Sequence, residues 1–179
     1  RLAEEGVLIG EQVGGTYYFH PDALVSRDQF VALAMHTVGL EALEGVTITG
    51  FADDAAIPTW AKGYVSSALK SGLVQGTVSE AGVVFEGERP ITKAEASVLL
   101  DRMLQVTDAS VTTLFPDLDT TPAWAYQAAV NLETVGVLQT AADGSLGLSD
   151  TLTRADAADM LCGALELLEA REANGWLPW

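Results

Sequence analysis

Cysteine, histidine and positive charge are scarce in this chain. One cysteine, Cys162, stands among 179 residues, which excludes an intrachain disulfide and a cysteine-based metal centre. Within LCGALEL it reads as a small apolar residue on a helix. The two histidines, His20 and His36, are not spaced as a metal pair with each other or with that cysteine. No cofactor and no metal are implied. Lysine and arginine number 9 against 25 acidic residues, a formal net charge of −16. A field of that sign repels nucleic acid and anionic membrane surfaces, so an anionic ligand must be held in a local pocket. The acidity serves solubility equally well. No run of 18 or more apolar residues occurs, so no helical membrane span is expected. No basic segment followed by an apolar one opens the chain. Hydrophobic residues make up 49% of it, enough for one core or for small modules sharing one.

What is present is repetition. VSRDQ (25–29), ITKAE (91–95) and LTRAD (152–156) share a pattern: an aliphatic residue, a hydroxyl, a cation and, two positions on, an acid or amide. Ser26 and Thr92 are 66 residues apart, and Thr92 and Thr153 are 61 apart. Gly6, Gly72 and Gly136 follow at intervals of 66 and 64, and Phe51/Phe115 and Trp60/Trp124 are each separated by 64. The chain is therefore read as a tandem array forming one structural unit: an incomplete repeat at 1–45, repeats at 46–109 and 110–170, and a tail or linker at 171–179. The first repeat reads as starting inside its first helix, as expected of a piece of a longer protein. The tail NGWLPW, with Trp176 and Trp179, has no counterpart in the repeats.

The order within a repeat predicts helix–loop–helix, and the class all-α. F-x-D leads to a proline shortly before W-A; Pro58 and Pro122 suit a first helical turn. Trp60, Tyr64, Val65, Ala68 and Leu69 form one face of the first helix, as do Trp124, Ala128, Leu132 and Val135. Gly72 and Gly136 suit left-handed caps. After a glycine-rich and polar loop, the second helix starts at the hydroxyl. Its buried stripe superposes across copies: Phe30, Ala96, Ala157; Leu33, Leu99, Met160; Ala34, Leu100, Leu161; Val38, Leu104, Leu165.

Ser26, Thr92 and Thr153 fit N-caps, with Gln29, Glu95 and Asp156 as the return acceptors of capping boxes. Helix initiation explains both. The cations Arg27, Lys93 and Arg154 are different, because a positive charge at the first helical position opposes the helix dipole by about 0.3–1 kcal/mol. Either each pairs with a nearby acid, such as Asp53 or Asp117 of the F-x-D motifs, or each binds an anionic ligand beside the helix start. An arginine fork matches a carboxylate, and Trp60 and Trp124 could pack on a sugar ring. Both tryptophans suit core anchoring equally. No nucleophile–base arrangement is visible, so no catalysis is expected. Asp117 and Asp119 fall short of a calcium loop and read as turn and capping residues.

FADDAAIPTWAKGYVSSALKSGLVQG with ITKAEA, and FPDLDTTPAWAYQAAVNLETVGVLQT with LTRADA, resemble S-layer homology domains, nearly end to end. The resemblance implies a pseudo-threefold, three-pronged unit around a central helical bundle. It implies a non-catalytic, extracellular anchor at the cell surface of a Gram-positive envelope, part of a longer surface protein. The ligand would be a secondary cell-wall polymer, a pyruvylated or otherwise acidic glycan, held in grooves between repeats. Arg27, Lys93, Arg154, Asp53, Asp117, Trp60 and Trp124 stand at the family's ligand positions. Two departures bear on binding: Lys93 replaces an arginine and loses the bidentate fork, and Leu146 stands where the loop carries an aromatic. The alternative is a structural or protein–protein interaction module in surface-layer assembly, without carbohydrate binding.

Overall fold

The computed structural model describes Leu2 and residues 11–13, 16–110 and 115–175. In chain order the elements are strands β1 (Glu11–Val13) and β2 (Thr16–Tyr18), helix α1 (Arg27–Thr37), helix α2 (Thr59–Lys70), strands β3 (Thr77–Ser79) and β4 (Gly82–Val84), and helices α3 (Lys93–Leu104), α4 (Ala123–Thr134) and α5 (Arg154–Ala173). The protein is mostly helical, as its sequence predicts. The two antiparallel hairpins, β1–β2 and β3–β4, lie where irregular loops were expected. Their three-residue strands are too short to show alternation in the sequence. Gly6, Trp176 and Trp179 lie outside the described residues.

Helices α1, α3 and α5 begin one residue after Ser26, Thr92 and Thr153; in all three the N-cap amide donates to the side chain three residues on, and in α3 and α5 the cap hydroxyl accepts in return. Their apolar stripes are buried at every superposed position but Leu33, which is half-buried. These helices touch one another, while α2 packs on α1 and α4 on α3. Pro58 and Pro122 stand at the N-cap, one residue before α2 and α4 begin. Gly72 and Gly136 end these helices in the left-handed region, with φ of 70° and 79°. No helix among the described residues is long and apolar enough to cross a membrane.

The aliphatic residue before each hydroxyl closes the assembly. The Val25 N–H donates to the Leu152 carbonyl at 3.0 Å, the Leu152 N–H to Ile91 at 2.8 Å, and the Ile91 N–H to Val25 at 3.0 Å. Three segments some 60 residues apart thus form a ring of backbone hydrogen bonds around buried side chains. Burial makes such bonds obligatory, since an unpaired amide away from water costs about 1–3 kcal/mol.

Candidate functional site

The ring brings each helix start against the loop of another copy. The N–H groups of Arg27, Lys93 and Arg154 donate to the carbonyls of Arg89, Asp150 and Ala23 at 2.8–2.9 Å. The next amides, of Asp28, Ala94 and Ala155, donate to Gly87, Leu148 and Pro21 at 2.9–3.0 Å. The first free amides of each helix, which ordinarily attract an anion, are therefore occupied by backbone. Any anion here must be held by side chains.

Two of the three cations lie in the same relation to their neighbours. Arg27 Nη1 donates to Glu95 at 3.0 Å, and Lys93 Nζ lies 3.1 Å from Asp156. Each partner is the capping-box acid of the next copy rather than an F-x-D aspartate. The capping-box residue of α1 is Gln29, which accepts from the Ser26 amide at 3.1 Å and has no charge. Arg154 Nε donates to the Phe19 carbonyl at 2.8 Å. Arg27 also donates to the Gln75 carbonyl at 3.0 Å. The guanidiniums of Arg27 and Arg154 stand 5.2 Å from the ring centres of Phe85 and Phe19, a cation–π arrangement. For Lys93 the equivalent loop residue is Leu146; a Cβ added at the adjacent Gly147 would lie 3.8 Å from Lys93 Nζ. The two departures noted in the sequence thus meet in one place.

Electrostatics at the first helix start centre on Glu95. Its oxygens accept from Arg27, from Arg89 at 2.8 Å and from the Thr92 amide at 3.1 Å. Burial pushes its pKa up, but Arg89, the Thr92 amide and Arg27 outweigh burial and hold it below the ordinary value. Burial lowers the Arg27 pKa against the pull of Glu95. Asp156 repeats the balance: burial raises it, while Thr153 and Lys93 bring it below the ordinary value.

The F-x-D aspartates hold loops. Asp53 accepts from the Phe85 and Glu86 amides at 2.8 and 2.7 Å, and Asp117 from Leu146 at 3.0 Å and Gly147 at 2.8 Å. Each carboxylate fixes the loop that carries the aromatic or its leucine replacement. The tryptophans are not core residues: Trp60 is 52% exposed and Trp124 63% exposed. The buried stripe runs through the following alanine instead, as Ala61, Val65 and Ala68 on α2 and as Ala125, Ala128, Ala129 and Leu132 on α4. One residue is about 100° of helix rotation, enough to turn each indole outward.

Two clefts form beside the cations. The first, of about 240 Å³, is lined by Arg27, Glu95, Arg102, Gln75 and Val98, with Trp124 at its wall. The second, of about 50 Å³, is lined by Lys93, Asp156, Asp159, Gln139 and Leu138 among others. Trp60 lines neither of these two clefts. Sequence reasoning missed Glu95 and Asp156 as ion partners, because capping already accounted for both. It also missed Arg102 and Asp159, which read as ordinary charges on a helix face; superposing α3 on α5 shows where they differ.

Residues 50–97, which supply much of the first cleft, match the profile of the S-layer homology domain. Three relatives cover about half of the chain. They are an amylopullulanase of Thermoanaerobacterium thermosulfurigenes, 31% identical over 48% of the chain; exoglucanase XynX of Acetivibrio thermocellus, 30% identical over 48%; and a surface-layer 125 kDa protein of Lysinibacillus sphaericus, 26% identical over 51%. Residues 50–97 are an S-layer homology domain. The aligned segments span only 5%, 8% and 8% of those relatives' own lengths. S-layer homology domains are non-catalytic modules that anchor surface proteins to the cell wall, which puts the domain at the cell surface or in the wall. The matched stretch includes Asp53, Trp60 and Lys93 and the loop on which Arg27 packs.

Proposed function

We infer that this protein tethers a longer surface protein to the wall by binding an acidic secondary cell-wall glycan, pyruvylated or carrying another carboxylate, in the first cleft. The observation that carries the reading is the exposed indole of Trp124 on the wall of a cleft that also contains Arg27 and Arg102. An indole offers an apolar face to a sugar ring while its edge stays wet. A guanidinium supplies parallel donors to a carboxylate. The same reading extends to Arg154 beside Phe19, to Lys93 in the second cleft and to Trp60 as the equivalent exposed indole. Asp53 and Asp117 contribute by holding the loops against which the cations pack.

The test is a fluorescence titration of the chain with purified secondary polymer. Saturable quenching that is lost in Trp124→Phe and weakened in Arg27→Ala supports the reading; an unresponsive spectrum with no retained polymer opposes it. A structural or protein-interaction role has one observation in its favour: Arg27–Glu95 and Lys93–Asp156 already pair internally. That role expects self-association or partner capture independent of glycan.

A further inference from the structure

The two clefts are built from the same pieces. Leu73, Val74 and Gln75 of the first correspond to Val137, Leu138 and Gln139 of the second, and Glu95 corresponds to Asp156. Two positions break the correspondence. Arg102 of α3 has Gly163 as its counterpart on α5, and Val98 has Asp159.

Both changes act in the same direction. At Gly163 an added Cβ would lie 2.9 Å from the Gly136 carbonyl oxygen and 2.9 Å from Val137 Cα. The loop after α4 therefore sits directly on the α5 backbone, and the cleft is narrow. In the first cleft the Arg102 side chain stands between helix and loop and donates to the Leu73 carbonyl at 3.2 Å. It acts as a spacer, consistent with about 240 Å³ against about 50 Å³. Arg102 makes no ion pair among the described residues, and it is exposed.

Charge separates the clefts further. The first sets two arginines against Glu95, whose charge is already engaged by Arg27 and Arg89. The second sets one lysine against Asp156 and Asp159. Resting on the glycan-binding reading above, we propose that Arg102 and Val98 make the first cleft the preferred site for an anionic sugar, and that Gly163 and Asp159 make the second the weaker one. Arg102 is a specificity-determining contact in this account, spacing the cleft and meeting the carboxylate beside Arg27. One cation gained and one acid removed beside a bound carboxylate, partly screened by water, correspond to about tenfold in affinity between the clefts.

The experiment uses the 179-residue chain, isotope-labelled for amide NMR. The probes are the methyl glycoside of a 4,6-O-pyruvylated N-acetylhexosamine and its pyruvate-free counterpart. The expected result is saturable shifts at Gln75, Val98 and Arg102, with none of comparable affinity at Gln139 and Asp159. These shifts should be lost for the pyruvate-free sugar. Val98→Asp and Arg102→Gln should each weaken binding about tenfold or more. Arg102→Gln retains length without charge, so it decides the matter if Val98→Asp fails to fold. Equal or tighter binding at Gln139 and Asp159 overturns the proposal and leaves the anchoring reading intact. So does undiminished affinity in Arg102→Gln. Shifts at neither cleft overturn the proposal, and retention of the chain on intact cell-wall sacculi then decides separately whether the anchoring reading stands.

Discussion

The Arg27 guanidinium reaches across 68 positions of sequence to Glu95, 3.0 Å away, with the two side chains only 14% and 18% exposed. Glu95 is at once the capping acceptor of α3 and the counter-ion of a cation at the start of α1. The same combination recurs at Lys93 and Asp156. A cation that works against its own helix dipole is thus compensated by the cap of the next helix.

Removing Glu95 should therefore cost more than removing a cap. Glu95→Ala deletes the capping return, takes from the part-buried Arg27 its acid and leaves Arg89 with Glu86 alone, an expected loss of about 2–4 kcal/mol. Urea unfolding measures it. In a double-mutant cycle with Arg27→Ala the coupling should be about 1 kcal/mol or more. A loss below about 0.5 kcal/mol would place Glu95 among ordinary surface acids.

Acid should weaken the fold through the same groups. The pKa values of Glu95 and Asp156 lie below their ordinary values of 4.5 and 3.8. A depressed folded-state pKa contributes stability that is complete above the unfolded value and is lost as pH falls through the folded one. From these two acids, stability should be level at neutral pH and decline as pH drops below about 4.5. Thermal melts at successive pH values test this, and Glu95→Gln should flatten the slope there.

The F-x-D aspartates should behave as structural residues. Asp53→Ala and Asp117→Ala each leave two loop amides without an acceptor, at an expected cost of about 2 kcal/mol. Calorimetric melting would show it. A melting temperature unchanged by either variant would contradict the loop-holding role.

Trp60 and Trp124 should behave oppositely. Both indoles are more than half exposed, so alanine at either site should change stability by no more than about 0.5 kcal/mol. A large loss of stability would return them to the core.

Much of the helical scaffold was legible because it is local. Caps, the closing Gly72 and Gly136, and the stripe from Phe30 to Val38 with its copies depend on neighbours within a few residues. Trp60 and Trp124 were ambiguous because a large apolar residue satisfies either a core or a binding position, and only the register of Ala61 and Ala125 decides. The partners of Arg27 and Lys93 were hidden because they belong to another copy and already had a capping role. Arg102 and Gly163 gain meaning only when the loops after α2 and α4 are set against α3 and α5. Nothing local distinguishes them from an exposed arginine and a tolerated helix glycine.

The most direct test of glycan anchoring is retention of the chain by Gram-positive cell-wall sacculi, before and after extraction of the secondary polymer. The account predicts retention on intact sacculi, loss after extraction, and marked weakening in a folded Arg27→Ala/Trp124→Ala variant. Equal retention on extracted sacculi, or by that variant, would contradict it.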